Sequence, residues 1–123
     1  MTTHTELLLR RHAAIPQGPA NAHPIFIAKA LGAEIWDIEG RQYIDFASGI
    51  GVNNVGNLHP EVVAAMQQQL GCFAHVAFGV TAYEKYLEVC EALNRLAPIR
   101  DARSVLFTTG AEATENAVKV ARS

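Results

Sequence analysis

Apolar and polar residues change their spacing several times along the chain, and each change predicts a different element. From Thr5 to Ala14, Leu7, Leu8, Leu9, His12 and Ile15 recur at helical spacing, and Pro16 ends the pattern. The next residues, 17–24 (QGPANAHP), are rich in Gly, Pro and Asn and predict a loop. The period then shortens. Residues 34–38 and 42–46 alternate apolar and polar side chains around Asp37-Ile38-Glu39-Gly40, a hairpin signal in which Gly40 supplies a positive φ. Packing of Ile35, Trp36 and Tyr43 on such a hairpin accounts for these residues without any function. Asp37, Glu39 and Asp45 flank it and are expected to be solvated.

Farther along, Pro60, Glu61 and the apolar series Val62, Val63, Met66 and Leu70 predict a helix that ends before Gly71. Thr81-Ala82-Tyr83-Glu84 reads as a capping box opening another helix, with Tyr83, Leu87, Cys90, Leu93 and Leu96 as its stripe and Pro98 as its stop. Cys90 is then a small core residue. Val105 to Thr109 reads as a short buried strand. Gly110 breaks it, and residues 111–122 (AEATENAVKVAR) form a helix pattern with a Glu115–Lys119 pair. The sequence closes inside that pattern without a stop signal and reads as a piece of something longer.

Composition narrows the class. Ten Lys and Arg against twelve Asp and Glu leave a net charge of −2, which argues against nucleic acid as a main partner. Half of the residues are apolar, so bulk disorder is not expected. No apolar run approaches the ~18 residues of a membrane span, and the first residues order their charges unlike a secretory signal. Two cysteines in apolar surroundings do not suggest a disulfide framework. A cytoplasmic location is the expectation.

Three stretches could carry chemistry. Residues 48–57 (SGIGVNNVGN) are dense in Gly and Asn, which lets backbone approach a ligand closely; composition alone favours a plain loop. The passage from Val105 to Arg122 places small residues where a strand gives way to a helix. There unpaired N–H groups point along the positive end of the helix dipole and suit a phosphate. Gly110 has no side chain to block approach, Ala111 almost none, and Thr108 and Thr109 could add hydroxyls. Strand-to-helix glycines are common, and on physics alone a structural turn is the stronger reading. The passage is neither a P-loop nor a dinucleotide fingerprint. Cys72 and His75 have a metal-like spacing but no second pair, so no metal site is expected. His59, before Pro60, is expected to cap or pack locally.

Taken together, D-x-E-G-x-x-Y-x-D-F (37–46), G-x-x-H-P (56–60) and T-T-G-A-E-A-x-E-N-A (108–117) form an ordered series. With this series the chain resembles the N-terminal part of the class III pyridoxal 5′-phosphate (PLP) aminotransferases, and among them the bacterial 4-aminobutyrate group. The similarity runs from about Leu8 to the last residue. It implies an α/β, fold-type I transferase in which residues 1–58 belong to a small domain and its active-site arm. Residues 59–123 would begin the large PLP-binding domain.

The resemblance further implies that the Gly110 and Ala111 amides hold the cofactor phosphate; alanine in place of the family serine removes a hydroxyl but keeps the amide. It implies that Ile50 lines the substrate pocket. Gly79 stands where close members carry glutamine, so no side-chain contact is expected from it. The expected reactants are an ω-amino acid, with 4-aminobutyrate first, and 2-oxoglutarate as the 2-oxo acid acceptor, in a homodimer or higher homo-oligomer. No catalytic residue is expected in these residues: Lys29, Lys85 and Lys119 match no family lysine motif, and the family's lysine, aspartate and arginine fall beyond Ser123. An ornithine- or acetylornithine-type aminotransferase and a non-enzymatic anion-binding or dimerising module are the alternatives.

Overall fold

The computed structural model describes residues 2–123. They divide into two compact units, the first running to Cys72 and the second spanning Phe73–Ser123.

The first unit begins with α1 (His4–Ala14). Thr3 caps it: its hydroxyl accepts from the Glu6 amide, and the Glu6 carboxylate accepts from the Thr3 amide at 2.9 Å. A three-stranded antiparallel sheet follows, β1 (Ile27–Leu31), β2 (Glu34–Asp37) and β3 (Gln42–Ile44), in that order. The hairpin expected around Gly40 is present as β2–β3, with Ile35 opposite Tyr43 and Trp36 opposite Gln42. Gly40 has φ 84°. β1 was not foreseen. It pairs with β2 through a bulge between Ile27 and Lys29, and the Lys29 ammonium lies 4.3 Å from the Trp36 ring centroid.

Asp37 overturns the expectation of solvated hairpin carboxylates. It is only 3% exposed. Its Oδ1 accepts from the Glu39 amide at 3.0 Å and the Arg41 amide at 2.8 Å, so the side chain itself shapes the turn. Its Oδ2 accepts from the Tyr43 hydroxyl at 2.8 Å. His4 Nε2 stands 3.3 Å from the same oxygen, while His4 Nδ1 accepts from the Phe26 amide at 3.2 Å. That second bond fixes the proton on Nε2, facing Asp37. One buried carboxylate thus ties helix α1, the segment before β1 and the β2–β3 turn together. Burial alone would raise its pKa; the Tyr43, Arg41, His4 and Glu39 donors outweigh burial and lower it to about 2. The Tyr43 hydroxyl is pushed up, first by donating to Asp37 and then by burial.

After β3 the chain makes α2 (Ser48–Gly51), a single turn, and then α3 (Pro60–Leu70), the helix expected from Pro60 onward. His59 occupies the N-cap position of α3, but its side chain makes no capping bond.

In the second unit, α4 (Glu84–Leu96) begins two residues later than a Thr81 cap would place it. Tyr83 is the N-cap, without a side-chain bond, because Tyr83 is held in an aromatic cluster instead. Its ring meets Phe73 and Phe78 edge-on at 5.5 and 5.4 Å, and Phe78 stacks on Tyr86 at 3.8 Å. Cys90 is buried, as its place in the stripe requires. The last helix is α5 (Gly110–Arg122), where Lys119 reaches Glu115 at 2.6 Å.

Residues 105–109 do not form the expected strand. A strand is defined by its neighbours, and no described segment pairs with this one. The Leu106 amide donates instead to the Tyr86 hydroxyl at 2.9 Å, and the Ser104 hydroxyl donates to Asn94 Oδ1 at 2.8 Å. Val105 remains 64% exposed despite its apolar neighbours.

Candidate functional site

The start of α5 is built by its own sequence. Thr109 is the N-cap in an extended conformation, and its Oγ1 accepts from the Glu112 amide at 3.1 Å. Glu112 reaches back, its Oε2 accepting from the Thr109 amide at 3.0 Å and the Thr109 hydroxyl at 3.2 Å. The Ala113 amide donates to the Thr109 carbonyl at 3.1 Å. Two first-turn donors are left, the amides of Gly110 and Ala111, and no described acceptor meets them. They open at the positive end of a 13-residue helix.

Thr109 therefore corrects the expectation of a free hydroxyl, since the capping box uses it on both sides. The T-x-x-E spacing at 109–112 was the signal that could have located this box. A Cβ built on Gly110 would meet nothing within 4 Å, so the described residues do not themselves exclude a side chain there. These donors fit an oxyanion such as a phosphate group. The carboxylate of Glu112, held at the N-cap by its bonds to Thr109, is a local feature that disfavours an anion there.

Ile50 belongs to the first unit, in α2. The turn is left-handed throughout: φ is 47° at Ser48, 60° at Gly49, 57° at Ile50 and 83° at Gly51. A β-branched residue in this region is a true outlier, costing about 1–2 kcal/mol. The isoleucine side chain is also 96% exposed. The turn is held from both sides. Asp45 Oδ1 accepts from the Ala47 amide at 3.0 Å and the Ser48 amide at 2.9 Å. The Ser48 hydroxyl donates to the Asn53 carbonyl at 3.0 Å, and the Asn53 amide donates to the Ser48 carbonyl at 3.0 Å. Sequence reasoning singled out Ile50 but missed its backbone, because only the glycines beside it hinted at positive φ.

The three lysines are all engaged locally. Lys29 lies over Trp36, Lys85 pairs with Glu88 at 2.8 Å, and Lys119 pairs with Glu115. Lys119 is about 14 Å along the axis from Gly110, nine residues at roughly 1.5 Å each. Among the described residues no cluster of three His, Cys, Asp or Glu side chains could hold a metal, and no described helix is long and apolar enough to cross a membrane. A cavity of about 360 Å³ in the first unit is lined by Leu8, Arg11, His12, Asn21, Ile25 and Phe26 among others, none of them an expected site residue.

Comparison with known proteins supplies what these residues cannot. Residues 15–123 match the family model described as aminotransferase class III. The chain belongs to the class III aminotransferases. Over 124 aligned residues it is 52% identical to the 4-aminobutyrate aminotransferase GabT of Escherichia coli, covering 100% of this chain and 29% of that protein. It is also 52% identical over 122 residues to the 5-aminovalerate aminotransferase DavT of Pseudomonas putida, covering 98% of this chain and 29% of that protein. Among solved structures, an acetylornithine aminotransferase from Elizabethkingia anophelis matches with TM-score 0.87 at 25% identity, over 99% of this chain and 31% of that one. The fold is therefore that of the N-terminal part of a fold-type I PLP-dependent transferase. The chain spans about 29% of the length of the curated relatives it matches.

Proposed function

We propose that the protein carrying this chain moves the amino group of an ω-amino acid, 4-aminobutyrate or its near homologue 5-aminovalerate, to 2-oxoglutarate. The observation that supports this most is the identity of 52% to a 4-aminobutyrate and to a 5-aminovalerate aminotransferase, each over nearly the whole chain. In this reading PLP supplies the electron sink that lets an amine exchange with a carbonyl. Gly110 and Ala111 bind its phosphate through their amides, and the capping box of Thr109 and Glu112 keeps the first turn of α5 in shape for them. Ile50 contributes an apolar wall where the carbon chain of the donor lies. Residues 1–58 serve the small domain and its active-site arm, and residues 59–123 open the large domain of a cytoplasmic homodimer.

None of the three lysines is assigned the catalytic role, since Lys29, Lys85 and Lys119 stand in no matching family motif. The catalytic lysine is inferred to lie outside these residues, and the 123 residues alone to be inactive. The test is a donor panel assayed with the complete gene product, PLP and 2-oxoglutarate. Preference for 4-aminobutyrate or 5-aminovalerate over ornithine and N-acetylornithine is expected. A preference for ornithine or N-acetylornithine would move the protein to the other branch of the family, and no amino transfer to any donor would refute the reading.

A further inference from the structure

Four consecutive left-handed residues, one of them isoleucine, form a conformation the chain does not adopt without being held. Strain of this kind concentrates where a side chain must be presented in one direction. Among the described residues nothing covers the Ile50 side chain, so no contact within them accounts for the strain. What holds it can be traced bond by bond. Asp45, just past β3, caps the entry to the turn through the Ala47 and Ser48 amides. Asn53 closes the exit through Ser48, and its Nδ2 would lie 3.2 Å from a Cβ on Gly49, so the amide packs beneath the turn. The same Nδ2 donates to Asn57 Oδ1 at 3.3 Å. Asn57 is bolted to the β1–β2 corner: its carbonyl accepts from the Gly32 amide at 2.9 Å, and the Gly32 carbonyl accepts from the Asn57 amide at 2.8 Å and from Asn57 Nδ2 at 3.2 Å. A Cβ on Gly56 would stand 3.0 Å from Gly32 Cα, which shows how closely the two backbones cross.

We propose that Asp45 and Asn53 are positioning residues, which hold Ser48–Gly51 left-handed so that Ile50 meets the carbon chain of the amino donor. The proposal rests on the reading of Ile50 as a wall of the substrate pocket. It adds that donor affinity depends on how Ile50 is presented as well as on its identity. Asp45 and Asn53 touch neither substrate nor cofactor in this account and act only through the turn.

The experiment uses the complete PLP-loaded gene product. Asp45→Ala and Asn53→Ala are expected to raise the KM for 4-aminobutyrate about tenfold, the order set by one misplaced apolar contact, with kcat changed less than about threefold. Asp45→Asn keeps an Oδ1 acceptor for both amides and is expected to restore the wild-type KM. Crystal structures of the variants report the Ile50 φ, which should leave the left-handed region in the alanine variants and stay in the asparagine variant. Should the alanine variants fail to fold, Ile50→Gly relieves the strain without touching the brace; it is expected to raise the melting temperature and also the KM. A KM unchanged in variants whose Ile50 has moved, or an Ile50 still left-handed in both alanine variants, would overturn the proposal while leaving the transaminase reading intact. Wild-type protein that transfers no amino group would overturn both.

Discussion

Replacing Gly110 separates what this residue does for the fold from the phosphate binding proposed for it. A Cβ at Gly110 meets no atom within 4 Å, and Gly110 is not among the positive-φ glycines. The chain itself therefore tolerates a side chain there. Alanine is favoured over glycine by up to about 1 kcal/mol in a helix, less in the first turn, and valine is no worse than glycine. The expectation for stability is zero or a small gain. For the phosphate the sign reverses, because the Gly110 and Ala111 amides are the two unmatched donors and a β-branched side chain would stand in front of them. Hydrogen bonds to a charged acceptor contribute about 1.5–3 kcal/mol each, so losing both costs roughly 3–6 kcal/mol, or about 10²- to 10⁴-fold in PLP affinity. Urea melts and PLP titration of wild type, Gly110→Ala and Gly110→Val in the complete gene product measure the two quantities separately. The reasoning predicts flat or slightly improved stability, with PLP affinity falling from glycine to alanine to valine. Unchanged affinity in Gly110→Val would place the phosphate elsewhere. An equal loss of stability and affinity would mean that the glycine serves the fold.

Three further outcomes follow from the same geometry. Thr109→Ala should cost about 1 kcal/mol in a urea melt by removing the α5 cap, whereas Thr109→Ser, which keeps the oxygen, should be near neutral. Asp37 has its pKa lowered from 3.8 to about 2, so the fold favours its charged form: that stabilisation is complete above about pH 4 and is lost as pH falls through 2. The stability gap between wild type and Asp37→Asn should accordingly narrow between about pH 4 and pH 2, and a gap independent of pH would contradict the assigned hydrogen bonds. Residues 1–123 purified alone should associate and bind an apolar dye, since Phe46, Val80 and Leu96 are 92%, 87% and 81% exposed. A monodisperse monomer without dye binding, on sizing, would contradict this.

The elements that were legible in the sequence are those whose signal is local. Helices α1, α3 and α5 follow from apolar spacing and from Pro16, Pro60 and Gly110, and the β2–β3 turn follows from Gly40. The Glu115–Lys119 pair needs only its own helix. Misreadings arose where a partner decides the outcome. Val105–Thr109 has the composition of a buried strand, yet pairing is a property of two segments, and here the Leu106 amide goes to Tyr86. Thr81-x-x-Glu84 has the spacing of a capping box, but the aromatic cluster around Tyr83 sets where α4 begins. Asp37 looks like a hairpin carboxylate from its neighbours in sequence; its burial depends on His4, which lies thirty-three residues earlier. At the candidate site, the unpaired amides of Gly110 and Ala111 could be expected from the chain because they are a local consequence of backbone geometry at a helix start. The left-handed turn at Ile50 could not, because it depends on Asp45, Asn53 and the crossing at Gly32.

The most direct test of the account is a coupled product measurement on the complete gene product. PLP-loaded protein is incubated with 4-aminobutyrate and 2-oxoglutarate, and glutamate and the ω-aldehyde are quantified, with a parallel sample stripped of PLP. The account predicts glutamate and aldehyde in equal amounts, formed only when PLP is present and diminished in Gly110→Val at limiting PLP. Glutamate formation independent of PLP, or none from any ω-amino acid with the cofactor bound, would contradict it.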